Sequence, residues 1–331
     1  MVNRWNDLSR PPLQATPLRL ALTVGPEPAW RVLDIVEQTG STNADLAERA
    51  RSGEAEGAVL VAESQHTGRG RRERVWTAPA RASITFSVLL RPGDRGVPAE
   101  RWSWLTLMAG VAVTDALTRT CGLAATLKWP NDVLVPVYPI GAERSRSGDH
   151  GAPGRSPGEP GAGGEPGAAG EPGAAGEQGK VAGLLAEVVR SGERPNGSAV
   201  VLGIGLNISQ DDAELPVPTA TSLKLAGSAS TDRDTVLRAV LRALAERYRD
   251  FCAANGDPRL GLAAVYRERC NTIGRRVRVH LPDGSLLDGL ADGVDDDGRL
   301  LVRDDRPDAP DDGVRALSAG DVVHIRPPEP A

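Results

Sequence analysis

The sequence predicts an α+β protein: a mixed sheet packed with helices over residues 31–270, then a separate small β-barrel over 271–331. Three observations carry this expectation. Short apolar runs alternate with longer segments of helical period through the first 270 residues. After Cys270 the pattern changes to short strands split by Pro-Asp-Gly and Asp-Asp-Asp-Gly turns. The chain has 331 residues, 40% of them hydrophobic, which is enough to fill one large core and one small one.

The elements follow in order. Residues 1–30 are proline-spotted and aperiodic, and are expected to form an irregular extension too short for a helix-turn-helix unit. A short strand is expected over 32–36. A helix follows over 43–51, with Ser41 or Thr42 as its cap. Residues 58–62 read as a buried strand, 65–76 as a polar glycine/arginine loop, and 83–90 as a strand ended by Arg91-Pro92. Helical periodicity runs over 102–119, and short strands over 125–128 and 133–135.

Residues 141–179 are of low complexity, with glycine at every third position over 158–179. Eight glycines in a collagen-like period are few for a triple helix, so a flexible solvated insert that lengthens a turn between two strands is expected. Paired core strands are expected over 181–189 and 200–206, and helices over 234–252 and 260–269. The barrel strands are expected over 276–281, 285–291, 299–302 and 322–326.

Composition narrows the function classes. No apolar run approaches the roughly 18 residues of a membrane span, and the first ten residues lack a secretory pattern. Cys121, Cys252 and Cys270 are odd in number and scattered, which fits neither a disulfide framework nor a metal site, so a reducing cytoplasm is the expected location. A formal charge of −5 argues against DNA as a partner, because phosphate neutralisation dominates that affinity. Of 39 cationic side chains only three are lysine: Lys128, Lys180 and Lys224. A lysine kept in so arginine-rich a chain suggests a place where a compact ammonium is required.

Five motifs carry chemistry. Gly40-Ser41-Thr42-Asn43 sits at a strand-to-helix junction, where hydroxyls and free N–H groups can bind a polar head group or simply cap the helix with Asp45. Residues 65–76 contain Gln65, Gly68, Arg69, Gly70, Arg71 and Trp76. Glycines there allow close backbone approach, and arginines supply forked phosphate donors. A nucleic-acid patch or plain solvated surface fits the same residues. Lys128-Trp129-Pro130-Asn131-Asp132 brings an ammonium, an amide and a carboxylate into five residues, suited to a transferring phosphoryl group or to a tight turn. The run beginning at Lys180 opens a core strand and places Gly183 within it, and Gly203-Ile204-Gly205-Leu206-Asn207 puts two glycines on one strand face.

In this order, GSTN, GRGRR…W, KWPND, KVAGLLAE and GIGLNIS resemble the biotin–protein ligase family over roughly residues 31–330. The resemblance implies the fold of class II aminoacyl-tRNA synthetases and biotin ligases, with an SH3-like carboxy-terminal domain. It implies a ligase that turns biotin and ATP into biotinyl-5′-AMP and passes the biotinyl group to a lysine of a biotin carboxyl carrier protein, with Mg²⁺ as cofactor. A lipoate–protein ligase of the same fold is the alternative.

By the same resemblance, Ser41, Thr42, Asn43 and Gln65 would bind biotin, with Gly68, Arg69, Gly70 and Arg71 ordering over it and Lys180 and Gly183 holding its carboxylate and ring. Arg69, Arg71, Trp76, Lys128, Asn131 and Asn207 would serve ATP, with Asp132 on Mg²⁺. The reacting set would be Lys128, Arg71 and Lys180. Glu73 departs from the family's glycine at that place in the loop. The first 30 residues do not resemble the winged helix-turn-helix of bifunctional members, so a monofunctional type is expected, with no DNA and no membrane partner; a weak homodimer is left open.

Overall fold

The computed structural model describes residues 9–26, 28–71, 74–137, 177–190, 198–304, 313–318 and 320–325. Its strands, in chain order, are β1 (Val32–Val36), β2 (Ala58–Ala62), β3 (Gly68–Arg69), β4 (Val75–Trp76), β5 (Ser83–Leu90), β6 (Thr126–Lys128), β7 (Asp132–Pro136), β8 (Gln178–Arg190) and β9 (Ser198–Asn207), then β10 (Arg276–His280), β11 (Leu286–Val294), β12 (Leu300–Asp304), β13 (Val314–Leu317) and β14 (Asp321–His324). Five helices accompany them: α1 (Ala15–Thr23), α2 (Thr42–Arg51), α3 (Trp104–Cys121), α4 (Arg233–Ala253) and α5 (Leu262–Arg269).

The main sheet runs β1-β2-β5-β9-β8-β7-β6, with β1 and β2 parallel and the other neighbours antiparallel. It is the mixed sheet the sequence predicts. Its central strands are continuous apolar runs because both faces are covered. On one face lies α2, whose Leu46, Ala47 and Ala50 pack on Leu60, Leu89 and Val201. On the other lies α3, nearly apolar all round and buried accordingly, backed by α4. In α4, Val236, Val240, Leu244, Tyr248 and Phe251 recur at helical spacing, which makes one buried stripe.

The second sheet runs β13-β12-β11-β10-β14 and is wholly antiparallel, as expected of a small β domain. Its Asp-Asp-Asp-Gly turn is seated on the main domain. Trp104 Nε1 donates to Asp296 O at 2.8 Å, Trp129 Nε1 to Gly298 O at 3.0 Å, and Ser103 Oγ to Asp297 O at 2.8 Å. One anchor of the barrel is thus a residue of the Lys-Trp-Pro-Asn-Asp motif.

Three expectations need correction. Residues 1–30 are not irregular throughout, since α1 lies within them and buries Leu18 and Leu22 in the main core. The helix has no side-chain cap and no acidic first turn, so packing rather than local signal forms it. The insert does not extend to 179, because Gln178 and Gly179 already pair with Pro136 and Val135. The glycine/arginine stretch is not all loop: β3 and β4 form a ladder that pairs Gly68 with Trp76.

Residues 138–176, most of the insert, and Arg72 and Glu73 lie outside the described residues. The ends of the insert meet, Val137 N donating to Glu177 O at 2.8 Å. A loop joining paired strand ends can be shortened at little cost. Replacing 138–176 with a two-residue hairpin turn is therefore expected to leave adenylate formation within about twofold of the parent. Its loss in a deletion variant that still unfolds cooperatively would refute this.

Candidate active site

The five motifs meet on the main sheet beside the barrel. They line a cleft of about 610 Å³, within the range of small-molecule sites. Every site residue proposed from sequence lies on its wall except Gly68, which stands behind it. A Cβ on Gly68 would run into the Trp76 carbonyl across the β3–β4 ladder, so this glycine serves the hairpin.

The floor is a pair of glycines. Gly183 on β8 and Gly205 on β9 face each other in register, and the Trp76 indole rests on both. A Cβ at Gly205 would overlap the indole ring, and one at Gly183 would come within 3.2 Å of both the ring and Lys180 Nζ. Trp76 Nε1 is buried there without a protein acceptor among the described residues. Gly203 does the same for Asn43, whose side chain fills the space a Cβ would need.

The Gly-Ser-Thr-Asn corner is rigid. Ser41 is the N-cap of α2, its Oγ accepting from Ala44 N at 3.4 Å. Gln65 Oε1 accepts from Thr42 N at 2.7 Å and from Thr42 Oγ1 at 3.1 Å. Asn43 Oδ1 accepts from Ser87 Oγ at 2.6 Å, and Asn43 Nδ2 donates to Glu187 Oε2 at 2.7 Å. Asn43 thus points its amide into the fold, while Glu187 also receives Arg69 at 3.4 Å.

The opposite wall carries the charges. Lys180 Nζ is 2.6 Å from Asp132 Oδ1 and 6.0 Å from the centroid of the Trp76 ring. Burial holds the Lys128 ammonium below the ordinary lysine range; Lys180 and Arg74 push the same way, and Asp132 opposes them. Asn131 is tied to β8 by two bonds, Asn131 Nδ2 to Leu184 O at 2.8 Å and Leu184 N to Asn131 O at 2.9 Å. Beneath the motif, Trp129 N donates to Thr272 Oγ1, which lies 3.2 Å from His324 Nε2. Burial, then Lys128 and Arg275, hold His324 down at about 4, so at neutral pH the ring is uncharged and can accept the Thr272 proton.

Asn207 lines the cleft, but its amide is engaged internally. It donates to Thr221 O at 3.0 Å and accepts from Gln210 at 2.9 Å. Sequence reasoning missed two parts of the wall. One is the segment after β9, with Pro216, Val217 and Thr219; the other is Gly320 and Val322 from the barrel. The first had a legible signal in Asp211-x-x-Glu214, which forms a capping box.

The arrangement places two lysines, one carboxylate and the arginines of a glycine-rich hairpin around one cavity. That suits a phosphate-bearing ligand with an apolar portion resting on glycine and indole. Residues 35–207 match the biotin/lipoate A/B protein ligase family, and residues 272–325 match the biotin protein ligase C terminal domain. The biotin–[acetyl-CoA-carboxylase] ligase of Mycobacterium tuberculosis is 41% identical over 326 residues, 97% of this chain and 98% of that protein. The bifunctional ligase/repressor BirA of Bacillus subtilis is 27% identical over 87% of this chain and 72% of its own length. The fold is similar to that of the biotin protein ligase from Aquifex aeolicus in complex with biotin and ATP, with a TM-score of 0.61, 22% identity and coverage of 90% of this chain and 100% of that one. With a family match over more than half its length and a 41% identical relative along nearly all of it, the chain belongs to the biotin/lipoate A/B protein ligase family.

Proposed function

We propose that the protein is a biotin–protein ligase, forming biotinyl-5′-AMP from biotin and ATP and transferring the biotinyl group to a lysine of a carboxylase carrier domain. The observation that carries this reading is the convergence of Lys128, Lys180 and Asp132 on a cleft floored by Gly183, Gly205 and Trp76. In the first step a biotin carboxylate oxygen bonds to the α-phosphorus of ATP, and the bond to the bridging oxygen breaks to release pyrophosphate. Lys128 and Lys180 stabilise the charge that develops there. In the second step the carrier's neutral lysine amine attacks the acyl carbon, AMP leaves, and the amine proton passes to a nearby carboxylate or to solvent.

Ser41, Thr42, Asn43 and Gln65 form the biotin end. The Arg69–Arg71 hairpin covers the adenylate, and Asn207 shapes the wall rather than binding through its occupied amide. Asp132 offers a single carboxylate, and among the described residues no cluster of three or more ligating side chains exists. One carboxylate suits a Mg²⁺ that arrives with ATP, where it would neutralise phosphate charge. No helix of the described residues is long and apolar enough to cross a membrane. We place the enzyme in the cytoplasm, acting on a carrier protein, with no role on DNA.

ATP-dependent transfer of labelled biotin to a carrier domain tests the reading. Pyrophosphate release with lipoate and none with biotin would overturn it in favour of a lipoate ligase. Two further results are expected. Gly205→Val displaces Trp76 from its seat, and should raise KM for biotin or ATP at least about tenfold; unchanged KM for both would sink the placement of Trp76.

The second concerns pH. A lysine with a lowered pKa loses its charge as pH rises, earlier than an ordinary lysine does. The kcat/KM for ATP should therefore fall on an alkaline limb below the usual lysine range. Lys128→Arg should move that limb upward, and an unmoved limb would remove Lys128 from the role.

A further inference from the structure

The segment between β9 and the isolated bridge of Ala220 to Lys180 forms one wall of the cleft, through Pro216, Val217 and Thr219. It is attached at both ends to chemistry-bearing positions. At its far end Lys180 N donates to Thr219 O at 2.8 Å and Thr221 N to Lys180 O at 2.8 Å, so the wall fixes the backbone of the site lysine. At its near end the capping box of Asp211 and Glu214 folds it back on itself.

The near end is also held from a distant part of the chain. Arg10 grips Glu214 with both arms of its guanidinium, at 3.0 and 2.5 Å, and reaches Ser209 Oγ and Ser209 O at 3.1 Å each. Its side chain is only 15% exposed, so this is a seated fork rather than a surface ion pair. The same guanidinium holds the Glu214 carboxyl below the usual range. The arm that carries Arg10 is itself anchored. Leu13 N donates to Glu63 Oε1 at 2.6 Å, Arg233 to Pro11 O at 3.1 Å, and Gln14 N to Asp234 Oδ1 at 2.9 Å. Two of these anchors, Glu63 and Arg233, are buried.

We propose that residues 9–14 are a clamp on the cleft, with Arg10 a positioning residue that holds the 211–220 wall against Lys180 and so sets how long the activated intermediate stays bound. The inference rests on the ligase reading for the identity of that intermediate, and on the structure alone for the clamp. Arg10 does not line the cleft; it acts through Glu214 and the wall that ends at Thr219. A guanidinium fork is needed because it meets a carboxylate and a carbonyl at once, which a lysine does only in part.

The test compares the full-length parent with Arg10→Ala and Arg10→Lys. Amide hydrogen exchange over residues 211–221 of the unliganded protein should quicken at least about tenfold in Arg10→Ala and less in Arg10→Lys. Biotinyl-adenylate formed in situ from labelled biotin and ATP should leave Arg10→Ala at least about fivefold faster, with partial rescue in Arg10→Lys. Unchanged exchange overturns the clamp. So does faster exchange with unchanged release, or a lower unfolding midpoint with both rates unchanged, which is what a purely structural arm would give. A parent protein that forms no adenylate from biotin speaks against the ligase reading, and exchange alone then decides the clamp.

Discussion

Lys180→Arg and Lys180→Ala should each lower biotin-dependent pyrophosphate release by roughly 10²–10³-fold, equivalent to about 3–4 kcal/mol of lost transition-state stabilisation. Lys224→Arg should leave it within about twofold. The contrast follows from where the two ammonium groups sit. Lys180 is the third residue of β8, its backbone bonded to Thr219 and Thr221, and its Nζ contacts Asp132 beside the Trp76 ring. Gly183 sits directly beneath, so the space is shaped for a compact cation. The broader, planar guanidinium would displace either Trp76 or Asp132. Lys224 instead pairs with Asp211 at 2.7 Å, both partners more than half exposed, where an ion pair contributes about 0–1 kcal/mol. Equal activity of Lys180→Arg and Lys224→Arg would sink the assignment.

The same comparison shows what the sequence made legible. The two cleft lysines stood out because the chain uses so few, and each lies in a motif at a strand end. Gly203 and Gly205 were readable as small residues on one face, but not what they make room for: Asn43 and Trp76 arrive from positions more than 120 residues earlier. The wall at 211–220 and the barrel's Gly320 and Val322 were missed because they are brought in by tertiary contacts that no local period encodes. β13 escaped notice for another reason. Three of its four residues are exposed, so it lacks the alternation by which half-buried strands are found. α1 combines both failures, having no cap and a burial that depends on contacts with β1 and α4.

Arg233→Met should be the most damaging single change to stability, at about 3–5 kcal/mol, read as a fall in the urea midpoint at constant m-value. Arg233 and Glu63 form an ion pair whose side chains are 6% and 7% exposed. Removing the cation leaves a buried carboxylate with Leu13 N as its remaining hydrogen-bond donor, and leaves Pro11 O without the donor it now has. The cost is that of an uncompensated buried charge, so it should be largely relieved in a Glu63→Leu/Arg233→Met double variant. What the double variant does not restore is the arm's attachment, because Pro11 O lacks its donor in both variants and Leu13 N loses its acceptor as well in the double one. Stability and function should therefore separate: the double variant should regain most of its midpoint while still opening the 211–220 wall. Glu63 also follows β2 directly, two residues before Gln65, which holds Thr42 at the biotin end. A cost below about 1 kcal/mol for Arg233→Met would mean that water reaches the pair, and the arm would then be too loosely held to serve as an anchor.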